Sequence, residues 1–278
     1  MKTSISTFPY FYYSLEDAIE RIASFGYDGV EIWGGTPHAY AYDMTSEKIE
    51  KIRDMVRNAG LNISGFIPAQ FRYPTNIAID DDIIRNRSID YLKKSIDIAV
   101  ALGAPLISIC PGHARFGQSY ESAWSNMIDS ISKLMEYSGN TINLMLEPGN
   151  RYETDLVVTA EDGKRVVKDL GNRIGLVLDT GHMFVNRESV SDGFLGIENN
   201  MLHFHIDDNM GVTDDHMVPG TGRMDYEVFF QNLKRINYEG YITVELGFQY
   251  CTDPDPAVLK SLKFINSKIA VNNREGLE

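Results

Sequence analysis

The sequence predicts an α/β fold, a single (β/α)8 TIM barrel spanning residues 1–278, on three observations. Strand and helix signals alternate from end to end, as parallel βα units require. The strand candidates are short, nearly continuous apolar runs, the pattern of strands buried on both faces. Four of these runs close on a polar residue: Ile142 to Glu147, Ile174 to Asp179, Met201 to His205 and Tyr241 to Glu245. Those ends lie 32, 26 and 40 residues apart, about one strand–helix unit each. A doubly wound open sheet is the alternative, but it gathers its ligand at one switch point. Polar residues at many strand ends fit the closed barrel, whose C-terminal rim carries the chemistry.

Taken in order, Ile5 lies in a short first strand. Ser14, with Asp17 three residues on, opens a helix through Phe25, and Gly26-Tyr27-Asp28 breaks it. Gly29 to Trp33 forms strand two, Thr45 to Asn58 the next helix, closed by Gly60, and Leu61 to Ile67 strand three. A long loop carries Phe71, Tyr73 and Pro74. A long helix over 80–101 leads through Gly103-Ala104-Pro105 into strand four, Leu106 to Cys110, and a helix over 119–137 precedes the four polar-ended strands. No Asn-Gly hairpin signal separates alternating strands, which argues for a parallel sheet. Asn272 to Glu278 reads as a polar tail.

A chain of 278 residues with 43% hydrophobic content can build a sizeable core, and no Gly/Ser/Pro-rich linker divides it. The net charge of −13 repels phosphate backbones, so nucleic acid is not an expected partner. Two cysteines, Cys110 and Cys251, make no disulfide framework and suit a reducing compartment. There is no signal-peptide pattern and no apolar run of about 18 residues, so no membrane partner is expected and the expected location is cytoplasmic.

Glu147, Asp179, His205 and Glu245 are the candidate ligands of one divalent ion. One acid after a strand is commonly a helix cap, but three acids and a histidine ending strands five to eight make a joint case. Charges at a buried rim are costly unless paired or metal-bound. Three carboxylates and an imidazole suit Mn²⁺, Mg²⁺, Co²⁺ or Zn²⁺ and do not choose among them. Around them lie His182, Glu153 and Asp207, the last with either a loop-capping or a ligand-supporting role. Arg151 reads as a rim ion pair. Gly220-Thr221-Gly222 is either a plain loop or a backbone cradle for an anion. Trp33, Phe8, Tyr10 and Phe66, near the ends of strands one to three, either wall a pocket or pack the rim.

At these residues the chain resembles the sugar isomerase/epimerase superfamily with a xylose-isomerase-like barrel. Glu147-Pro148-Gly149-Asn150-Arg151-Tyr152-Glu153 looks like the motif of the ketose (tagatose and psicose) 3-epimerases. The stretches Val30 to Tyr40, His203 to Asp208, Val218 to Met224 and Tyr238 to Leu246 look still more like the fructoselysine 3-epimerases. The resemblance covers nearly the whole chain, and Trp33-Gly34-Gly35-Thr36-Pro37-His38-Ala39 is its most specific part. It implies that Glu147, Asp179, His205 and Glu245 hold one divalent metal ion per subunit, and that Glu147 and Glu245 double as the acid–base pair. It implies substrate contacts from His182 and Glu153, and places Trp33 and His38 among the substrate-binding candidates. It also implies a homo-oligomer acting on a small sugar. One departure concerns specificity: the tagatose-type enzymes carry an arginine six residues after the metal histidine, where this chain has Gly211.

The expected reaction inverts C3 of a ketose or a fructoselysine-like ketosamine through a cis-enediolate, with one carboxylate removing the proton and the other returning it. The same groups would also serve an aldose–ketose isomerase working at C1 and C2. A zinc phosphodiesterase would need further histidines for a multi-zinc cluster and a basic groove, against which six histidines and a charge of −13 weigh. A dehydratase is a further alternative. A non-catalytic relative would have lost a carboxylate at Glu147 or Glu245, and both are present. Glu153, Asp207 and Asp208 near the rim are compatible with a cationic amine substrate.

Overall fold

Eight parallel strands close into a barrel in sequence order, each followed by a helix, in the computed structural model of the chain. It describes all residues except 71–74, 195, 198–200 and 275–278, and residues 192 and 271–274 in backbone only. The strands are β1 Lys2–Ser6, β2 Gly29–Gly34, β3 Asn62–Pro68, β4 Leu106–Ile109, β5 Asn143–Leu146, β6 Gly175–Asp179, β7 Leu202–Ile206 and β8 Tyr241–Val244. The helices are α1 Leu15–Phe25, α2 Ser46–Asn58, α3 Asp82–Leu102, α4 Tyr120–Ser138, α5 Ala160–Asp169, α6 Thr180–Val185, α7 Glu227–Arg235 and α8 Asp255–Arg274. The expected elements are all present, with ends displaced by one or two residues where caps decide them. Thr45 and Asp81 lie just outside their helices because their side chains accept backbone N–H bonds as N-caps. The expected tail is shorter than read, because α8 continues through Arg274. Phe71, Tyr73 and Pro74 lie outside the described residues.

Local chemistry explains each turn of the βα rhythm. Ser14 Oγ accepts from the Asp17 N–H and starts α1, and Gly26 ends it at φ 91°, a conformation costly for any side chain with a Cβ. Leu15, Ala18, Ile19 and Ile22 line the buried face of α1, the i, i+3, i+4, i+7 stripe that docks a helix on a sheet. The same logic holds in α4, where Ala123, Met127, Ile131, Leu134 and Met135 are buried.

The barrel interior departs from the bulky branched filling usual for this architecture. Ser4, Ser64, Ser108, Thr243, His203 and Glu31 are all buried, and Ser4 Oγ bonds Ser64 Oγ at 2.6 Å. Glu31 pairs in register with Gly65 on β3, where a Cβ would come within 2.4 Å of Glu31 Oε1. Glycine at that one position makes room for a charged side chain inside the barrel. Asp179 and His205 are register partners on β6 and β7, so two of the expected ligands stand side by side. Among the described residues no helix is long and apolar enough to cross a membrane.

Candidate active site

Glu147 and Glu245 directly follow β5 and β8, while Asp179 and His205 lie within β6 and β7. Their ligand atoms lie within 4.8 Å of one another. His205 Nδ1 is 2.8 Å from Glu147 Oε1, 2.9 Å from Glu245 Oε2 and 4.0 Å from Asp179 Oδ2. Asp179 divides its two oxygens: Oδ1 accepts the His182 N–H at 2.9 Å and caps α6, while Oδ2 is buried without a hydrogen-bond partner. A buried carboxylate oxygen without a donor is costly, and a cation among these four side chains would satisfy it. The donor set, three carboxylates and one imidazole, fits Mn²⁺, Mg²⁺, Co²⁺ or Zn²⁺. Ser108 Oγ donates to Glu147 Oε2 at 3.1 Å and steadies that carboxylate.

Behind His205 stands a residue that strand-end reasoning missed. Glu31 on β2 is fully buried, with Oε2 3.0 Å from His205 Nε2 and Oε1 3.2 Å from His203 Nε2. An acceptor on Nε2 fixes the tautomer and turns the Nδ1 lone pair toward the three carboxylates of the cluster. Burial alone would raise the Glu31 pKa; the charges and hydrogen bonds of His205 and His203 instead hold it down at about 2. Burial pushes His205 down, but Glu31, Glu147 and Glu245 outweigh it and raise its pKa well above the ordinary value. The field that attracts a proton to this imidazole attracts a metal ion as well, and the two compete. The signal for Glu31 was present in Val30-Glu31-Ile32: a lone charge inside an apolar strand needs a buried partner.

The structure also brings in residues from the β7–α7 loop. The backbones of Asp208 and Met217 bond to each other and fold the loop back on itself, returning Asp214 and His216 to the rim. His182 Nε2 lies 2.9 Å from Asp214 Oδ2 and 3.6 Å from Glu153 Oε2, and His216 Nε2 lies 3.3 Å from the same Asp214 oxygen. Asn150 Nδ2 donates to that oxygen too, at 3.2 Å. Asp207 is fully buried with Oδ2 2.7 Å from His216 Nδ1. Gly181 has no side chain for a reason: a Cβ there would meet Asp207 Oδ1 at 2.2 Å. Burial raises the Glu153 and Asp207 pKa values, with the Asp179 charge adding to the second, while Asp214 is held well below the carboxylate range by His216 and His182 despite its burial.

Several expectations change at this level. His38 spends both ring nitrogens internally, on Thr7 Oγ1 at 3.0 Å and the Tyr10 carbonyl at 3.1 Å, and so braces the end of β2 instead of facing a ligand. Trp33 packs edge-on against Phe8 and lines an open groove with Tyr40, Tyr42, Arg87 and Tyr91. Tyr10 and Phe66 are wholly buried core, not pocket wall. Arg151 makes no rim ion pair among the described residues; its guanidinium donates to the Val185 carbonyl at 2.5 Å at the end of α6. Gly220-Thr221-Gly222 does cradle an anion, but an internal one: Gly220 N and Gly222 N donate to Asp208 Oδ2 at 2.9 and 2.8 Å. Asp208 is therefore committed within the protein and unavailable to a cationic substrate, and Asp207 is fully buried beside His216.

Comparison with known proteins agrees with this architecture. The chain is 32% identical to fructoselysine 3-epimerase of Shigella flexneri over 256 residues, covering 91% of this chain and 93% of that protein. It is 26% identical to D-psicose 3-epimerase of Agrobacterium fabrum (strain C58) over 237 residues, covering 82% and 77% of the two chains. The crystal structure of a D-tagatose 3-epimerase-like protein superposes with a TM-score of 0.83 at 21% identity, covering 99% of both chains, and so shares the fold. The xylose isomerase-like TIM barrel model matches residues 19–268, and the chain belongs to that family.

Proposed function

We propose that this protein is a metal-dependent sugar epimerase that inverts C3 of a ketose or ketosamine. The observation that carries the reading is the meeting of Glu147 and Glu245, from β5 and β8, at the same imidazole nitrogen, 2.8 and 2.9 Å from His205 Nδ1. Epimerisation needs one group to take the C3 proton and a second to return it on the opposite face. Two carboxylates reaching a common point from different strands supply both groups. Relatives named for 3-epimerisation of fructoselysine and psicose support the same reading.

In this mechanism Glu147, Asp179, His205 and Glu245 hold the divalent ion. When bound, the ion supplies Lewis-acid stabilisation of negative charge developing on the neighbouring sugar oxygens. One of Glu147 and Glu245 accepts the proton from C3 while the other, as the acid, delivers a proton to the opposite face, and the reverse reaction exchanges their roles. Glu245 is the more accessible of the two, its side chain 21% exposed against 4% for Glu147. On this reading His182 and Glu153 would hold the substrate near its carbonyl end, with the imidazole exchanging its contact with Asp214 Oδ2 for donation to O1 or O2. Gly211 projects no side chain into the loop over the site, so the sugar's far hydroxyls lack the arginine contact implied for tagatose-type enzymes. That difference favours a ketosamine over a plain free ketose.

One NMR panel tests the reading. The Mn²⁺-loaded protein is incubated in D₂O with free ketoses, ketose phosphates and fructoselysine. Deuterium entering C3 identifies both reaction and substrate class; entry at C1 alone supports the aldose–ketose isomerase, and no exchange with any of them overturns proton transfer on these sugars.

A further inference from the structure

The open groove beside Trp33 is walled by Tyr40, Tyr42 and Tyr91 and carries one cation, Arg87. We propose that it is the subsite for the arm of a ketosamine substrate whose amine comes from an amino acid. The hydrocarbon chain lies on the tyrosines and the carboxylate meets Arg87. This deepens the epimerase reading and rests on it for the sugar half of the ligand.

The inner wall of the groove belongs to the mouth of the barrel. Trp33 stands two residues past Glu31 on β2, in regular register with Ile67 of β3. Side chains two apart on a strand share a face, so Trp33 sits above the Glu31–His205 pair, about 7 Å nearer the C-terminal rim. A Cβ on Gly35 would meet Trp33 Cζ2 at 2.2 Å, and glycine there lets the indole lie over toward the groove. The outer wall is aromatic. The Tyr40 and Tyr42 rings stand 5.7 and 6.1 Å from the Tyr91 ring, which is buried, while Tyr42 is 59% exposed. Rings propped on one another in this way present a rigid apolar surface to a methylene chain.

The charge in the groove selects the end of the arm. Arg87 lies one turn before Tyr91 on α3 and so shares its helix face. Arg85, on the same helix, spends its guanidinium on Asp82 and the Ile79 carbonyl. Arg87 has no ion pair or hydrogen bond among the described residues, and is the one charged residue among those that line the groove. In a chain with 39 acidic and 26 basic residues, an arginine without a carboxylate is a local exception that attracts an anion. A planar guanidinium matches one carboxylate through two parallel N–H bonds, whereas a phosphate dianion usually gathers several donors. An arm ending in an ammonium group alone is repelled by Arg87. The groove therefore fits an amino-acid arm better than a phosphate or a simple diamine.

A ratio of affinities tests the assignment. The Mn²⁺-loaded protein is titrated calorimetrically with fructoselysine, with its decarboxylated counterpart (the fructose adduct of 1,5-diaminopentane) and with fructose 6-phosphate. The wild type is expected to bind fructoselysine roughly 5–10-fold more tightly than the decarboxylated adduct, the range for a charge-assisted pair open to solvent. That ratio should fall toward one in Arg87→Gln. It should also fall toward one in wild type at about 1 M salt, where the Debye length is about 3 Å, a readout that needs no variant. Tyr42→Ala should weaken both amine adducts relative to fructose. A ratio near one in the wild type, a ratio that survives Arg87→Gln, or no binding of either adduct overturns the proposal. Fructose 6-phosphate losing more affinity than fructoselysine in Arg87→Gln overturns it in favour of a phosphate site. Deuterium wash-in at C3 is scored separately: exchange with a ratio of one strikes the subsite alone, and a carboxylate preference without exchange on any sugar strikes the epimerase reading alone.

Discussion

Glu31→Gln is the most informative single change, because it removes charge without changing shape at a position that touches neither substrate nor ion. Glu31 is fully buried between two imidazoles, 3.0 Å from His205 Nε2 and 3.2 Å from His203 Nε2. Removing one partner of such a buried pair costs roughly 3–5 kcal/mol. The lowering of its pKa from 4.5 to about 2 corresponds to roughly 3 kcal/mol at about 1.4 kcal/mol per unit, the same range. The variant is therefore expected to lose about 3 kcal/mol in denaturant unfolding of the metal-free protein at neutral pH. Because Glu31 also orients His205, Mn²⁺ affinity measured by competition with a chelating dye is expected to fall about 10–100-fold. The sign with pH follows from a carboxylate whose folded pKa is depressed: its contribution is present above about 4.5 and fades as pH falls toward about 2. The stability gap between wild type and variant should close over that window. A stability loss with unchanged Mn²⁺ affinity refutes the orienting role, and a gap independent of pH refutes the electrostatic one.

Four further outcomes follow from the geometry. Glu245→Gln should abolish deuterium wash-in at C3 at saturating Mn²⁺, and full exchange removes Glu245 from the acid–base pair. Gly181→Ala would press a Cβ to 2.2 Å from Asp207 Oδ1 and should cost about 1–3 kcal/mol by overpacking; an unchanged melting temperature shows that this corner yields freely. Asp208→Ala strips the acceptor from Gly220, Gly222 and Met224. It should destabilise by about 3 kcal/mol and open the 219–224 loop to proteolysis, while a loop equally resistant to protease contradicts the cradle. His38→Ala should lower the melting temperature and leave the KM for the sugar unchanged, since both ring nitrogens are spent internally; a raised KM at full stability makes His38 a substrate contact after all.

The βα rhythm and the four strand-end residues that cluster at the rim were legible in the chain because both are local. An apolar run ending in Asp179 or Glu245 needs no partner to be noticed, and the barrel rule supplies the convergence. His38 misled because a residue type inside a specific stretch says nothing about where its ring nitrogens point. For Gly220-Thr221-Gly222 the sequence leaves a plain loop and an anion cradle both open, since Asp208 precedes the two glycines by 12 and 14 residues and meets them only once the loop closes.

By itself, then, the sequence determined the barrel and the metal-ready quartet Glu147, Asp179, His205 and Glu245, through periodicity and residue type at strand ends. Only the tertiary structure decided what stands behind and beside the quartet. Glu31 finds His205 from 174 residues away, and the Asp208–Met217 pairing returns Asp214 and His216 to meet His182. These encounters are set by barrel closure and by glycines that leave space, and neither acts along the chain. The physical reason is that burying a charge constrains its neighbours in space and leaves its neighbours in sequence free.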